Sequence, residues 1–193
     1  MPLSVRIEGY AVVSEDGMLA DAQGIMPDSL KVEADQRFFE RKLDEVDVVV
    51  HGRHSQEHDR NSQRRRRIIV TRRVPALASD PSNPRAFFWN PAGATLEHAL
   101  SMFRISSSSI GVLGGADVFE IFLGRFDVFY LSEVFGIRLP GGRPIFRGVP
   151  PNTPEEVLAL HGMSFLRNEV IVDGLTITSW HGSRPHLTGA DQN

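Results

Sequence analysis

The sequence predicts an α/β domain built around a largely parallel sheet, and three observations indicate it. The short, nearly continuous apolar runs at 46–51 and 68–71 are typical of strands that are covered on both faces. Apolar residues near the 3.6-residue helical period occur between predicted strands, for example over 31–43. A further apolar run at 110–113 leads through two glycines into another helical pattern. Strands that alternate with helices in this way form parallel sheets.

Each predicted element follows from its local pattern. Strands are placed where an apolar run lies between turn residues, and in chain order they are 5–13, 46–51, 68–71, 110–113, 128–132, 169–172 and 175–179, with a further apolar segment at 86–89. The last two flank the turn Asp173-Gly174, which favours an antiparallel hairpin. Helices are expected over 31–43, 94–103 and after the glycine pair, and loops over 18–30 and 75–84. We predict one domain spanning 1–182 and a flexible tail over 183–193.

Composition excludes several classes of protein and site. The 193 residues include no cysteine, which rules out disulfides, thiolate catalysis and cysteine metal ligands. A net charge of −3 gives no general basic surface for nucleic acid, and the arginine run 64–67 leads directly into an apolar strand. His51, His54 and His58 span a strand end and a turn, so no metal site is expected. Without a bilayer-length apolar run or a signal-peptide pattern, we expect a cytoplasmic protein with a small-molecule partner and no nucleic-acid or membrane partner; a homodimer stays open.

Three polar or glycine-rich segments follow three of the predicted buried strands. They are Gly52-Arg53-His54-Ser55, Thr71-Arg72-Arg73 and Gly114-Gly115. Open α/β sheets bind ligands at the carboxyl edge of their strands, where glycines let the backbone approach a ligand and arginine forks match phosphates. The combination indicates a site for a phosphorylated dinucleotide, although the glycine pair alone would equally suit a tight turn. No G-x-G-x-x-G motif follows the first strand, which argues against an ordinary Rossmann domain.

Six short segments occur in a fixed order between residues 5 and 135. They are Met26-Pro27, Ala34-Asp-Gln-Arg-Phe-Phe-Glu-Arg41, Val48-Val-Val-His-Gly-Arg-His54, Ile68-Ile-Val-Thr71, Val112-Leu-Gly-Gly-Ala-Asp-Val-Phe-Glu120 and Phe129-Tyr-Leu-Ser132. Through their order and spacing the chain resembles the dihydrofolate reductase superfamily, which also contains the riboflavin-pathway pyrimidine reductases. The resemblance implies a central, mostly parallel eight-stranded sheet flanked by helices, with NADPH and an oxidised substrate bound in one cleft.

For the cofactor, the resemblance implies contacts from four parts of the chain. The phosphates would be held by Gly52, Arg53, His54 and Ser55, and the adenosine 2′-phosphate by Thr71, Arg72 and Arg73. Gly114-Gly115 would be the pair that carries a cis peptide in this family, followed by the cofactor-lining residues Ala116, Asp117, Val118 and Phe119. Ala20 corresponds to the loop position that lies against the nicotinamide.

For the substrate, the predicted helix supplies the chemical residue. Asp35 and Phe39 are four residues apart, so they share one helical face with Phe38 beside them. The resemblance makes Asp35 the catalytic acid that hydrogen-bonds the substrate ring, with Glu33 as its rival. Other implied substrate contacts are Val12, Val13, Leu113 and Ser132, and Arg65 (or its neighbour Arg66) falls near the family's arginine for the glutamate carboxylate of folate.

Departures from the dihydrofolate reductase pattern leave the substrate open. Ala20-Asp21 replaces an isoleucine–glycine pair, and Asp28 stands where a tryptophan follows Met-Pro. The segment 14–20 instead resembles the S-x-D-G-x-x-A opening of the pyrimidine reductases, as does 139–146. The sequence therefore predicts an NADPH-dependent reductase of a pterin-type substrate, with dihydrofolate as the leading candidate. The alternatives are a riboflavin-pathway aminopyrimidine reductase and a nucleotide-binding relative that has lost catalysis.

Overall fold

The computed structural model describes residues 5–54, 64–105, 108–172 and 174–183, which contain eleven strands and four α-helices. In chain order, strands β1 to β11 are Val5–Ser14, Met18–Ala20, Val48–Gly52, Arg66–Val70, Leu77–Ser79, Ala86–Trp89, Ser108–Val112, Val128–Val134, Arg143–Pro144, Met163–Val172 and Leu175–Gly182. Helices α1 to α4 are Glu33–Glu45, Leu96–Ser101, Ala116–Phe122 and Pro154–Leu160, and a short 3-10 helix covers Asp28–Leu30. Of the predicted tail, the structure describes Ser183 alone.

Nine strands form one sheet in the order β10-β11-β8-β1-β7-β3-β4-β6-β5. The six strands from β8 to β6 run parallel to one another, whereas β11 and β10 at one end and β5 at the other run antiparallel to their neighbours. The predicted α/β class, the mostly parallel sheet and the C-terminal hairpin are confirmed. The count is nine rather than eight because β5 pairs within the segment predicted as a loop, and three residues are too few to show an alternating pattern.

A separate two-stranded sheet joins β2 to β9, with Met18 opposite Pro144 and Ala20 opposite Arg143. Strand β2 lies in the segment predicted as a loop, and β9 was not predicted, because neither is long enough to show a period of two. Their pairing holds the segment after β1 against the segment that precedes α4.

The helices differ from their predictions at their ends. Helix α1 begins at Glu33 rather than Lys31, since Val32 has an extended backbone with φ −86° and ψ 128°. Helix α4 was not predicted, because its seven residues span about two turns. It begins with a reciprocal capping box: the Thr153 hydroxyl accepts from the Glu156 N–H, and the Glu156 carboxylate accepts from the Thr153 N–H. None of the described helices has the length and apolar character that crossing a bilayer requires.

Two hydrophobic clusters cover the two faces of the sheet. The larger contains side chains of α2, α3 and α4, including Leu100, Phe119 and Leu158. The smaller contains α1, whose Phe38 and Leu43 pack with strand residues of the opposite face. Because successive strand residues point to opposite faces, the α1 side of β1 carries Tyr10 and Val12 and the other side carries Val13.

Candidate active site

A cavity of about 180 Å³ opens on the α1 side of the sheet, between α1 and strands β1 and β8. Its lining is mostly apolar and consists of Tyr10, Ala11, Val12, Leu19, Met26, Leu30, Lys31, Asp35, Gln36, Phe38, Phe39, Leu113, Tyr130 and Ser132. Among these described residues, Asp35 is the one acid and Lys31 the one base. An apolar cleft with a few polar groups is the usual form of a small-molecule site.

Asp35 lies in the first turn of α1 and faces this cavity. The Ser132 hydroxyl of β8 donates a hydrogen bond of 2.5 Å to its Oδ1. Burial raises the pKa of the Asp35 carboxyl, and the hydrogen bond from Ser132 offsets part of that rise. Glu33, the rival acid, is exposed and pairs with Arg37 one turn along the helix. The structure therefore places Asp35 in the cavity and Glu33 outside it.

An aromatic wall forms one side of the cavity. The Tyr10 and Tyr130 rings stack with centroids 5.3 Å apart and planes 12° apart, and Phe38 meets Tyr130 edge-on at 5.3 Å. Phe39 meets Tyr10 edge-on at 6.0 Å. The Tyr10 hydroxyl donates to Glu8 at 2.5 Å, and burial raises the pKa of this phenol. Stacked and hydrogen-bonded rings of this kind give a fixed apolar surface on which a flat ligand can pack.

Most of the predicted substrate residues come together in this cavity. Its lining includes Val12, Phe38, Phe39, Leu113 and Ser132, together with Asp35.

Two predicted substrate residues lie elsewhere. Val13 is not part of the lining: it is fully buried in the cluster on the opposite face, since it follows Val12 on a strand. Arg65 is also outside the lining, because its guanidinium donates to the Asp44 carboxylate at 2.5 Å and to the Glu40 carbonyl at 3.5 Å on the outer part of α1.

Several lining residues were not predicted. Tyr10 and Tyr130 precede Val12 and Ser132 by two positions on paired parallel strands, so the period of two would have placed all four on one face. Leu19 lines the cavity, whereas its neighbour Ala20, predicted at the nicotinamide, is buried in β2. Lys31 and Gln36 had no sequence signal, because loop and helix-start residues of this kind are usually solvated.

The predicted cofactor edge is formed by three adjacent parallel strands, β7, β3 and β4. The Gly52 N–H donates to the Gly114 carbonyl at 2.8 Å, which joins the ends of β3 and β7. The Gly114-Gly115 peptide is cis, as the resemblance implied. Gly114 has φ +82°, and a Cβ there would lie 2.5 Å from the Phe119 ring. Leu113 connects this edge to the cavity, since it lines the cavity and directly precedes the glycine pair.

The cationic residues lie on the neighbouring turns. Arg53 is half-buried with its guanidinium 3.3 Å from the His54 ring, and His54 itself is exposed. After β4, the buried Thr71 accepts a hydrogen bond from the Arg73 N–H at 3.2 Å, while the Arg72 and Arg73 side chains are exposed. Ser55 lies outside the described residues.

The segment after the glycine pair forms α3. Val118 and Phe119 are buried in the core, whereas Ala116 is half-buried and Asp117 is exposed. The N–H groups of Val118 and Phe119 both donate to the Gly115 carbonyl, at 2.9 and 3.1 Å. In the described part of the chain no three His, Asp or Glu side chains are grouped to hold a metal ion, and His58 lies outside that part.

The chain is similar to known proteins in its structure, whereas the comparisons by sequence find no match. No protein-family model matches the chain, and no curated protein does. A candidate riboflavin biosynthesis protein from Shewanella sp. PV-4 superposes with a TM-score of 0.66 at 20% identity, over 93% of this chain and 99% of that one. Dihydrofolate reductase from Enterococcus faecalis, complexed with NADP(H) and RAB-propyl, gives a TM-score of 0.61 at 16% identity, over 93% of this chain and 97% of that one. The chain has the dihydrofolate reductase-like fold.

A third solved structure with this fold is a bifunctional protein from Thermotoga maritima, a diaminohydroxyphosphoribosylaminopyrimidine deaminase and 5-amino-6-(5-phosphoribosylamino)uracil reductase. It superposes with a TM-score of 0.66 at 14% identity, over 92% of this chain and 56% of the Thermotoga protein. The reductase-like fold is thus common to all three neighbours, and it confirms the architecture that the sequence resemblance implied.

Proposed function

We propose that the protein is an NADPH-dependent reductase that transfers hydride to a C=N bond of a pterin-type ring. The observation that carries the proposal is the Asp35 carboxyl, which lies half-buried in a mostly apolar cavity and accepts a hydrogen bond from Ser132. A partly desolvated acid with a raised pKa beside an aromatic wall is suited to holding a nitrogen heterocycle and supplying it with a proton.

The cofactor proposal rests on the glycine edge and its cations. Gly52, Gly114 and Gly115 carry no side chains, and a Cβ on Gly52 would lie 3.7 Å from both the Gly114 carbonyl oxygen and the Gly115 nitrogen, so backbone atoms line this edge. Arg53, Arg72 and Arg73 place positive charge on the two neighbouring turns, as phosphates require. Bound NADPH would supply the hydride. The NADP(H) complex of the Enterococcus dihydrofolate reductase, which has the same fold, supports this choice.

Within the cavity, we assign ring recognition and proton supply to Asp35. Since Ser132 donates to Oδ1, a protonated carboxyl would hold its proton on Oδ2. Desolvation keeps that proton bound to a higher pH than in an exposed aspartate. We assign the apolar faces of the ring to Val12, Leu113 and the Phe38–Phe39 pair, which exclude water from the reacting bond.

A riboflavin-type aminopyrimidine is the second candidate substrate, and Arg65 favours it. This arginine contacts Asp44 and Glu40 of α1 and is not part of the cavity lining, so it is not directed at a folate glutamate. Lys31 does line the cavity, and its ammonium is 2.7 Å from the exposed Asp28 carboxylate. We assign Lys31 to the phosphate of a phosphoribosylamino substituent, the group named for the Thermotoga reductase.

The test is NADPH oxidation, followed by absorbance, with dihydrofolate and with the phosphoribosylaminopyrimidine in parallel. Turnover with either ring supports the proposed reductase, and the ratio of their kcat/KM values selects the substrate. Lys31→Gln should raise KM for the phosphorylated aminopyrimidine and leave that for dihydrofolate unchanged. NADPH binding without oxidation by either compound would instead support a non-catalytic nucleotide-binding protein and overturn the proposal.

A further inference from the structure

Strand β10 lies at one end of the nine-stranded sheet, and several of its exposed side chains are apolar. Phe165, Leu166 and Ile171 are 53%, 51% and 65% exposed. The strand is ten residues long and contains neither proline nor lysine, two residues that commonly block the pairing of sheet edges. An edge that is long and apolar is a template for pairing with another strand.

The sequence of β10 is complementary to itself when it is read antiparallel about Asn168. In that register Phe165 faces Ile171 of the partner subunit, and Leu166 faces Val170 of the partner subunit. Arg167 faces Glu169 of the partner subunit, and the two-fold axis repeats each pair. Opposite charges and apolar side chains placed directly across a ladder are the pairs that stabilise antiparallel strands.

Charge selects this register from its neighbours. A two-fold axis perpendicular to an antiparallel pair passes through a residue that faces its own copy. An axis at Arg167 would place two arginines opposite each other, and an axis at Glu169 would place two glutamates opposite each other. The axis at Asn168 avoids both like-charge contacts and forms two Arg–Glu contacts instead.

The structure of one chain is compatible with this pairing. Phe165 is opposite Trp180 and Ile171 is opposite Thr176 on β11, so both point to the same face of the sheet. Arg167 and Glu169 lie together on the other side, with Nε and Oε1 2.9 Å apart and the Arg167 side chain 67% exposed. Irregularities in the pairing with β11, at Leu166 and Glu169, bend the strand but leave Arg167 and Asn168 consecutive in register.

We propose that β10 is a homodimer interface, in which two copies pair antiparallel about Asn168 and join their sheets into one. The occupant of the edge is a second copy of this chain, because a copy paired antiparallel about Asn168 supplies the complementary order of apolar and charged side chains. The interface is independent of the proposed function, since it requires neither cofactor nor substrate.

Charge reversal tests the register, with oligomeric state measured by light scattering and sedimentation at micromolar concentration. The native chain should be a dimer. Arg167→Glu and Glu169→Arg should each weaken dimerisation about ten-fold or more, because two attractive contacts become repulsive. An equimolar mixture of these two variants should recover a dimer, since the two acidic side chains of one variant then face the two arginines of the other. Arg37→Glu, an exposed change on α1, should remain dimeric.

Recovery in the mixture separates an interface from a structural effect, because damage within one chain is not repaired by another. A change of melting temperature in either single variant would not affect that comparison. A native chain that is monomeric under these conditions would overturn the proposal. A dimer that both single variants retain, or a mixture that fails to associate, would overturn it equally.

Discussion

Ser132 and Asp35 are 97 positions apart in the chain, yet the Ser132 hydroxyl lies 2.5 Å from the Asp35 carboxylate. The contact joins the first turn of α1 to the strand β8, and it fixes one carboxylate oxygen inside an apolar cavity. The burial that raises the pKa of Asp35 is thus accompanied by a hydrogen bond that orients the group. The proposed proton supply and its pH dependence both rest on this pair.

Replacing Asp35 by asparagine should remove the proposed acid and preserve its size. We expect NADPH binding to be unchanged and turnover to fall about 10²- to 10⁴-fold, the range typical of general acid–base catalysis. In the native protein, hydride transfer should slow as the pH rises through the raised pKa of Asp35, because the carboxyl then loses its proton. Stopped-flow measurement of NADPH oxidation against pH would show whether that dependence disappears in Asp35→Asn.

Glu33→Gln is the matched control, since Glu33 lies on the same helix turn but is exposed and paired with Arg37. It should keep native turnover and the native pH profile. Native activity in Asp35→Asn would show that substrate is held by other groups in the cavity, whereas loss in Glu33→Gln alone would assign the acid to Glu33.

Asp35→Asn should also change the pH dependence of stability. A raised pKa means that the folded state binds more protons than the unfolded state between the ordinary value of 3.8 and the raised value. Stability therefore falls as the pH rises through that window, and ionised Asp35 destabilises the native fold above it. The variant should melt higher than the native protein at neutral pH, by roughly 2–4 °C for each 1 kcal/mol gained.

Calorimetry at a series of pH values would check this difference. The difference between the melting temperatures of the variant and the unmutated protein should narrow toward acid pH. There the Asp35 carboxyl of the unmutated protein is protonated in the folded and in the unfolded state. A variant less stable than the native protein at neutral pH would mean that the hydrogen bond with Ser132 outweighs the cost of burial.

The two glycines at the end of β7 should respond differently to alanine. Gly114→Ala places a Cβ on a residue with φ +82° and against the Phe119 ring, so we expect it to lower stability by about 1–3 kcal/mol. Gly115 has φ −65°, which alanine adopts without strain, so Gly115→Ala should keep its melting temperature. If this backbone meets the cofactor, Gly115→Ala should still weaken NADPH binding about ten-fold or more, equivalent to about 1.4 kcal/mol.

Calorimetric titration of each folded variant with NADPH would separate the two roles. If Gly115→Ala binds NADPH with native affinity, the glycine pair is only a tight turn between strand and helix. The sequence alone also allowed that interpretation.

Local patterns in the sequence could predict one side of the cavity. The helical period places Asp35, Phe38 and Phe39 together, and three strand ends carry the glycines and arginines that the sheet then aligns. The partner of Asp35 could not be derived this way, because its contact with Ser132 joins segments that no local period relates; only the family resemblance suggested that hydroxyl.

Other features were missed for reasons that lie in the residues themselves. Arginine side chains commonly bind anions, and the family resemblance placed Arg65 at the substrate. The direction of its side chain depends on Asp44, an exposed helix residue whose contact with Arg65 could not be inferred from any sequence pattern. The first half of β10 was missed because its exposed residues do not alternate between apolar and polar. Helix α4 is too short to display a period, although its Thr153–Glu156 capping box was visible in the sequence.

The preference for NADPH over NADH should depend on Arg72 and Arg73. Their side chains are exposed on the turn after β4, where the Thr71 hydroxyl accepts from the Arg73 N–H and shapes the turn. A charge-assisted hydrogen bond to a phosphate is worth about 1.5–3 kcal/mol, so removing both side chains should weaken NADPH binding at least ten-fold. NADH has no 2′-phosphate, and its affinity should stay the same. Titration of the Arg72→Ala, Arg73→Ala double variant with both cofactors would measure the change in preference.

The control is the double variant Arg37→Ala, Arg125→Ala. It removes the same amount of positive charge from two arginines that are paired with Glu33 and Glu97. Equal losses in the two double variants would attribute the effect to net charge, and an unchanged preference in the first would place the 2′-phosphate elsewhere.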